Sequence, residues 1–424
     1  MVTYTGANVG YTNNSVDIGY SYVQRDYVRD LYPNLTGLAE VPGTRSSKLW
    51  GCGYNYYWSL GLGDADRVHR SSPVVLTSAN TANANWRSIA CGSEHMAAID
   101  ENGDVWSWGR NQYGQVAAGL NVAIGQSYLT SPKLWYPFSS TIRFGAAQVS
   151  CGQNHTVVIT DNFNLWSTGD NTYGQLGDLT ITHRSSPVQT VSGGNNWSQV
   201  SCGSYSTLAI KTDGTLWAWG WGTSVHANTT TSSPIQTATG GNTWISVAGG
   251  RINGAAIKTD GTLWTFAFST NYISGSNNQF KQLSSNSDWV QCSAGEFNAG
   301  AINKKGQLWM IGGNGRGELG DGTRTNNNTN MVQTISGGTN WKKIAINKNS
   351  GGASIYAIKT DGTLWSWGDN TYGQLGTGDM IHRSSPVQIL GGGNPLWKDV
   401  SPAYYNFNAM KLTYTPYSNT YYTT

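Results

Sequence analysis

Charge is what this chain has least of. Only 12% of its 424 residues are Asp, Glu, Lys or Arg, and 26 bases against 23 acids leave a net +3. No run of Lys or Arg occurs, so the chain has no means of neutralising phosphates in series. That excludes nucleic acid and an acidic membrane surface as expected partners. No stretch approaches the roughly eighteen consecutive apolar residues of a membrane-spanning helix, and the opening MVTYTGANVG lacks the basic and apolar regions of a secretory signal. The expectation is a chain made in the cytoplasm without a signal peptide. Five cysteines are present but no Cys-x-x-Cys pair, and no phosphate-cradling Gly loop, Ser-His-Asp order or paired-carboxylate constellation stands out. Neither metal nor cofactor is expected, and the chain reads as a non-enzyme.

What is abundant is Gly (54 residues), Trp (19) and Tyr (23), and they recur at a fixed period. In Tyr356–Leu390, YAIKTDGTLWSWGDNTYGQLGTGDMIHRSSPVQIL, apolar and polar residues alternate up to Lys359. The chain turns at Asp361-Gly362 and resumes as Leu364-Trp365-Ser366-Trp367. Alternation with a period of two around an Asp-Gly turn is a β-hairpin. The Leu-Trp or Val-Trp strand returns at Trp50, Trp106, Trp166, Trp217, Trp264, Trp309 and Trp365, spaced 45 to 60 residues apart. A preceding strand repeats as Trp86, Trp197, Trp244, Trp289, Trp341 and Trp397; the second unit breaks this ladder with Ala146. A lone hairpin cannot bury its Trp face, so successive units must pack on one another.

GTLWSWGDNTYGQLGTGD followed by RSSPVQ, and VSCGQNHTVVI in the third unit, resemble the regulator of chromosome condensation repeat family. The resemblance covers residues 47–412 and implies an all-β, seven-bladed β-propeller of about fifty residues per blade. It speaks for the fold more than for the activity, because this scaffold hosts unrelated functions.

The first unit, from Lys48, holds only the later strands of a blade. WKDVSPAYYNFNAMKL at 397–412 supplies the missing early ones, so N- and C-terminal strands should pair and close the ring, removing free sheet edges. Residues 1–46 are a Tyr-rich, non-repeat extension in which Val23, Tyr27 and Leu31 fall at helical spacing before Pro33, and 413–424 are a polar tail. The fourth and fifth units lose the Tyr-Gly-Gln-Leu-Gly turn, and the second carries a lengthened outer section from Val116 to Arg143.

Cys91, Cys151 and Cys202 share one repeat slot, Cys292 lies in the matching strand of a later unit, and Cys52 replaces the second Trp of a Trp-x-Trp pair; all read as small buried thiols. His95 and His155 share another slot with no third ligand in prospect, and read as structural. Asp64 with Arg70, Asp178 with Arg184 and Asp379 with Arg383 recur in equivalent loops, each Arg preceded by a His, at positions 69, 183 and 382. Repetition around a rim fits loop bracing, since catalysis needs distinct groups that converge. Sixteen Trp fill repeat slots, leaving Trp58, Trp135 and Trp221. A plant photoreceptor member of the family uses clustered Trp as its chromophore, but its Gly-Trp-Arg-His-Thr repeats are absent here.

Two groups remain as interaction candidates. Tyr128, Trp135, Tyr136 and Phe138 in the second unit could present rings to a protein or stack on a host-surface glycan. Tyr20, Tyr22, Tyr27, Leu31 and Tyr32 in the extension could attach the ring to a larger assembly. Low charge with Asn, Thr, Ser and Tyr enrichment resembles phage tail and capsid-associated proteins. The leading expectation is therefore a virion-associated structural scaffold whose partners are the other structural proteins of that assembly. Two alternatives are a nucleotide exchange regulator of a small GTPase, the activity of the family's founding member, and a carbohydrate-binding adhesin.

Overall fold

The computed structural model describes residues 43–63, 67–76, 84–117, 128–135, 145–191, 194–221, 230–237, 241–251, 253–267, 280–335, 338–348, 352–391 and 396–416. Ser46–Thr413 form one compact unit; Met1–Arg45 with Tyr414–Thr424 form another, which apart from a few strand-end residues lies outside the described residues. So do the helix expected near Tyr27 and the five attachment candidates between Tyr20 and Tyr32.

The described residues make twenty-eight strands in seven four-stranded antiparallel sheets. Six sheets are consecutive in sequence. The seventh runs in the order Arg70–Val75, Gly43–Gly53, Asn406–Pro416, Trp397–Pro402, so the two ends of the chain close the ring as expected. The protein is an all-β, seven-bladed propeller. The closing strands are longer than foreseen: one begins at Gly43, inside the segment read as extension, and the other continues to Pro416. Blades are numbered below by the Trp anchors, the closing sheet being blade one.

Each innermost strand, Trp197–Cys202 for example, is buried at its first and fourth residues, and all but Trp397–Pro402 at the sixth as well. A register shift between the first and third residues turns the third and fifth toward the central channel. The second strand is buried along its whole length, as in His95–Asp100 and His155–Thr160, because a blade covers it on each face; hence its apolar runs.

The turn that follows explains the TDGTLW sequence. Gly362 takes φ 81°, a conformation Gly adopts without steric cost. Asp361 Oδ1 accepts from Thr363 N at 2.9 Å and Thr363 Oγ1 at 2.7 Å, and Thr363 Oγ1 accepts from Trp365 Nε1 at 2.8 Å. Trp365 meets Trp341 edge-on at 6.0 Å with Lys359 Nζ 4.2 Å from its ring. Blades four and five repeat the arrangement with Lys211 and Lys258.

Blades are joined at their outer loops by the second Trp of the Trp-x-Trp pair. Trp108, Trp219 and Trp367 are fully buried, and each Nε1 donates to a carbonyl in the preceding blade's Asn-led turn: Ser59 at 3.0 Å, Gln175 at 2.9 Å and Glu318 at 2.9 Å. The glycine that ends each turn is pinned by the same ring: a Cβ on Gly177, at φ 74°, would lie 2.8 Å from Trp219 Nε1.

Candidate functional site: the loop face at the channel mouth

Among the described residues, two loops of each blade but the fifth emerge at the same end. The loop after the innermost strand meets the loop after the third, as Tyr54 N→Tyr405 O (2.9 Å), Arg110 N→Glu94 O (2.8 Å) and Asp170 N→Asn154 O (2.8 Å) show. The inner loops ring the channel mouth through hydrogen bonds to the next blade: Tyr404 N→Ser93 O, Ser93 N→Gln153 O, Gln153 N→Ser204 O, Ser204 N→Gly250 O and Arg251 N→Gly295 O, all between 2.9 and 3.2 Å. Asn347 Nδ2 adds a link to Tyr404 O at 3.3 Å.

The outer loops are held by their own asparagines. Asn171 Oδ1 accepts from Leu176 N at 3.0 Å while its Nδ2 faces Asp178 Oδ1 and the Thr180 and Thr182 carbonyls at 2.9 to 3.1 Å. Asn370 repeats this in blade seven. Arg184 pairs with Asp178 at 2.7 Å, and Arg383 pairs with Asp379. His69, His183 and His382 each accept, through Nδ1, the backbone N–H of that asparagine at 3.0 to 3.2 Å. These are braces, as their repetition implied; Asp64 lies outside the described residues.

Where the closing blade meets its neighbours, this face becomes aromatic. Tyr54 lies 5.8 Å from Tyr405, 5.4 Å from Tyr372 and, stacked, 4.6 Å from His69; Tyr372 lies 4.5 Å from Tyr405, which meets Tyr404 at 4.6 Å. Tyr56 is exposed, and Arg67 sits 4.9 Å above its ring and 4.3 Å above that of Trp58. Arg110 covers Tyr57 at 4.9 Å and pairs with Glu94 at 2.5 Å. Burial raises the Glu94 carboxyl and the Tyr54 phenol above their ordinary values and lowers His69. The patch offers half-buried rings, phenolic hydroxyls and guanidinium edges, a composition suited to protein recognition.

The sequence-derived aromatic candidates fare differently. Trp135 is not a surface ring: it is 2% exposed, in the core between blades two and three, with Nε1 donating to Ser107 Oγ at 2.8 Å. A large ring with a single donor is best satisfied there. Tyr128 stacks on Trp58 at 4.0 Å, so it adjoins the aromatic patch. Tyr136 and Phe138 lie outside the described residues. The patch itself was signalled by YNYYW at 54–58 and AYY at 403–405, which ring closure makes neighbours.

All five cysteines are buried and unpaired, and burial pushes the Cys91 and Cys292 thiols up to about 12. His95 Nε2 faces Thr156 Oγ1 at 2.9 Å and His155 Nε2 faces Thr207 Oγ1 at 3.1 Å across blade boundaries. Both threonine hydroxyls donate onward at 2.8 Å, to the Gln115 and Gln175 carbonyls, so each histidine donates from Nε2. Burial lowers both imidazoles to about 3, which makes them neutral struts between blades.

Two profiles described as Regulator of chromosome condensation (RCC1) repeat match the sequence, one at 46–99, 102–159, 164–210 and 361–401, the other at 86–115, 146–175 and 197–224. The ultraviolet-B receptor UVR8 of Arabidopsis thaliana is 33% identical over 182 residues, covering 43% of this chain and 39% of the receptor; the match thus spans about two fifths of that relative. Human WBSCR16 superposes with a TM-score of 0.71 at 21% identity, over 86% of this chain and 99% of its own. Prp20p of Saccharomyces cerevisiae superposes at 0.74 and 17% identity, over 93% and 95%. Both structures are similar in fold. Repeat profiles that together cover just over half of the sequence, on a closed ring of seven blades, place the chain in the regulator of chromosome condensation repeat family.

Proposed function

We propose that the propeller is a non-catalytic binding scaffold that docks a protein partner on the loop face where blade one closes the ring. The supporting observation is the cluster of Tyr54, Tyr56, Tyr372, Tyr404 and Tyr405 with Arg67 at its edge. Tyrosine and arginine are among the side chains that most often anchor protein interfaces, and tyrosine has few rotamers to freeze. A photo-crosslinking residue at Tyr56 should yield a protein adduct in the native source, whereas one at Ile245, exposed on an innermost strand near its Trp-bearing end, should not. Adducts from position 245 alone overturn the docking face.

The finer reading, a structural component of a virus particle held by the Tyr-rich ends, draws its support from composition. Mass spectrometry of purified particles tests it, and recovery of the chain solely as free cytoplasmic protein would remove it. Nucleotide exchange on a small GTPase is the second reading, favoured by the family and by the solved Prp20p, a protein with binding properties to Gsp1p and histones. Nucleotide release from a panel of small GTPases, unchanged by the protein, retires it. The adhesin reading is weakened by the burial of Trp135.

A further inference from the structure

The channel along the ring axis encloses a cavity of about 230 Å3. At its loop-face mouth one side chain crosses it. Lys348, two residues beyond the innermost strand Trp341–Ile346 of blade seven, places Nζ against the carbonyls of Cys151 (3.3 Å) and Cys202 in blades three and four, on the opposite side of the ring. Among the described residues no carboxylate pairs with it. The acid that lines the channel, Asp399, is taken by Lys343.

Below this crossbar lies a ring of serines at the fifth position of the innermost strands. Ser150, Ser201, Ser293 and Ser401 each accept, through Oγ, a backbone N–H of the next blade: Cys202, Gly249, Ile346 and Cys91, at 2.9 to 3.0 Å. A hydroxyl whose oxygen already accepts still has a hydrogen to donate; Ser150 and Ser401 turn theirs toward the Cys202 and Cys91 thiols, and among the described contacts Ser201 and Ser293 donate to nothing within the protein. All four line the cavity and are half-buried. The channel therefore gathers the hydroxyls of Ser201 and Ser293 beneath the Lys348 amine, which no described carboxylate pairs and whose hold on its proton burial weakens until an anion offsets the charge. Convergent donors around an amine that a bound anion would keep protonated are the complement of an oxyanion.

We propose that the channel binds one small oxyanion, of the phosphate, sulfate or carboxylate class, between the serine ring and Lys348. Inorganic phosphate is the probe, titrated into the full chain at an ionic strength held constant with chloride, with calorimetry and melting temperature as readouts. The expected result is saturable binding of one phosphate per chain and a matching rise in melting temperature. Loss of a charge-assisted contact in Lys348→Met should weaken that binding by about tenfold or more. Absence of saturation, several equivalents bound, or equal affinity in Lys348→Met overturns the proposal. Should Lys348→Met fail to fold, the Ser201→Ala, Ser293→Ala double variant serves instead, since it removes the two channel hydroxyls at the cost of one inter-blade hydrogen bond each. Unchanged phosphate affinity in that folded variant likewise overturns it.

Discussion

The boundary between blades three and four and the two that follow it solve the same packing problem with different chemistry. Blade three keeps its Asn-Thr-Tyr-Gly-Gln-Leu-Gly turn, and Trp219 of blade four donates to the Gln175 carbonyl inside it. Blades four and five lose that turn, and the slot of the second Trp in the blades after them holds Phe266 and Ile311, both buried. Neither has a donor. The slot carries a donor where the preceding blade keeps the turn, Trp219 here and Thr168 and Cys52 after blades two and seven, whose side chains reach the Gly114 and Gly373 carbonyls, and is apolar where the turn sequence is missing, because a buried donor is favoured where an acceptor faces it. Where the turn is lost, an apolar residue in this slot needs no partner from the rim, while the inner strands keep their form: Trp244–Gly249 and Trp289–Ala294 show the same burial pattern as Trp197–Cys202.

Acid separates these boundaries most strongly. His95 and His155 brace blades two to three and three to four, while Ser206 and Asn253 take the slot in blades four and five. A folded value near 3 against an ordinary 6.5 means the unfolded chain takes up protons first as the pH drops. Stability is therefore complete above about pH 6.5 and declines progressively toward pH 3, by about 2 kcal/mol per histidine at pH 5. Urea unfolding across that range should show the decline, and hydrogen exchange should place the earliest opening in blades two to four. A flat profile between pH 7 and 5 would mean that the imidazoles are not buried neutral.

Exchanging the residues across the two kinds of boundary comes next in size. Phe266→Trp adds bulk and a donor where the preceding turn is missing; with Gly254 already packed against Phe266, it should cost about 3 kcal/mol. Trp219→Phe leaves the Gln175 carbonyl with only Thr207 as a side-chain donor and should cost about 2 kcal/mol. Denaturant midpoints of the two variants measure both, and a stabilised Phe266→Trp would refute the coupling of loop and ring.

The smallest effect belongs to the rim. Arg383 and Asp379 are both a quarter or more exposed, so Arg383→Ala should shift stability by less than about 1 kcal/mol. A larger loss in thermal melts would show that the outer loop carries more of the blade than its exposure suggests.

How much was legible varies with how local the cause is. The hairpins, the Asp-Gly turns and the Trp ladders follow from alternation and turn chemistry within a few residues, and the bracing role of Asp178, Arg184 and their counterparts follows from repetition. Trp135 misled because an aromatic in an irregular insertion reads as a surface ring. Its indole N–H found Ser107 and its ring found the core of blades two and three.

The sequence by itself determined the period, the number of blades, the closure of the last strands on the first, and the neutral, buried character of the repeat-slot cysteines and histidines. Each of these is set by patterns one strand or one repeat long. Only the tertiary structure decided that Tyr54, Tyr372 and Tyr405 share one patch, and that Lys348 reaches across the ring to Cys151 and Cys202. Contacts between residues some 150 to 350 positions apart depend on the radius and closure of the whole ring. No local pattern encodes that distance; it arises only when seven sheets pack side by side and the last meets the first.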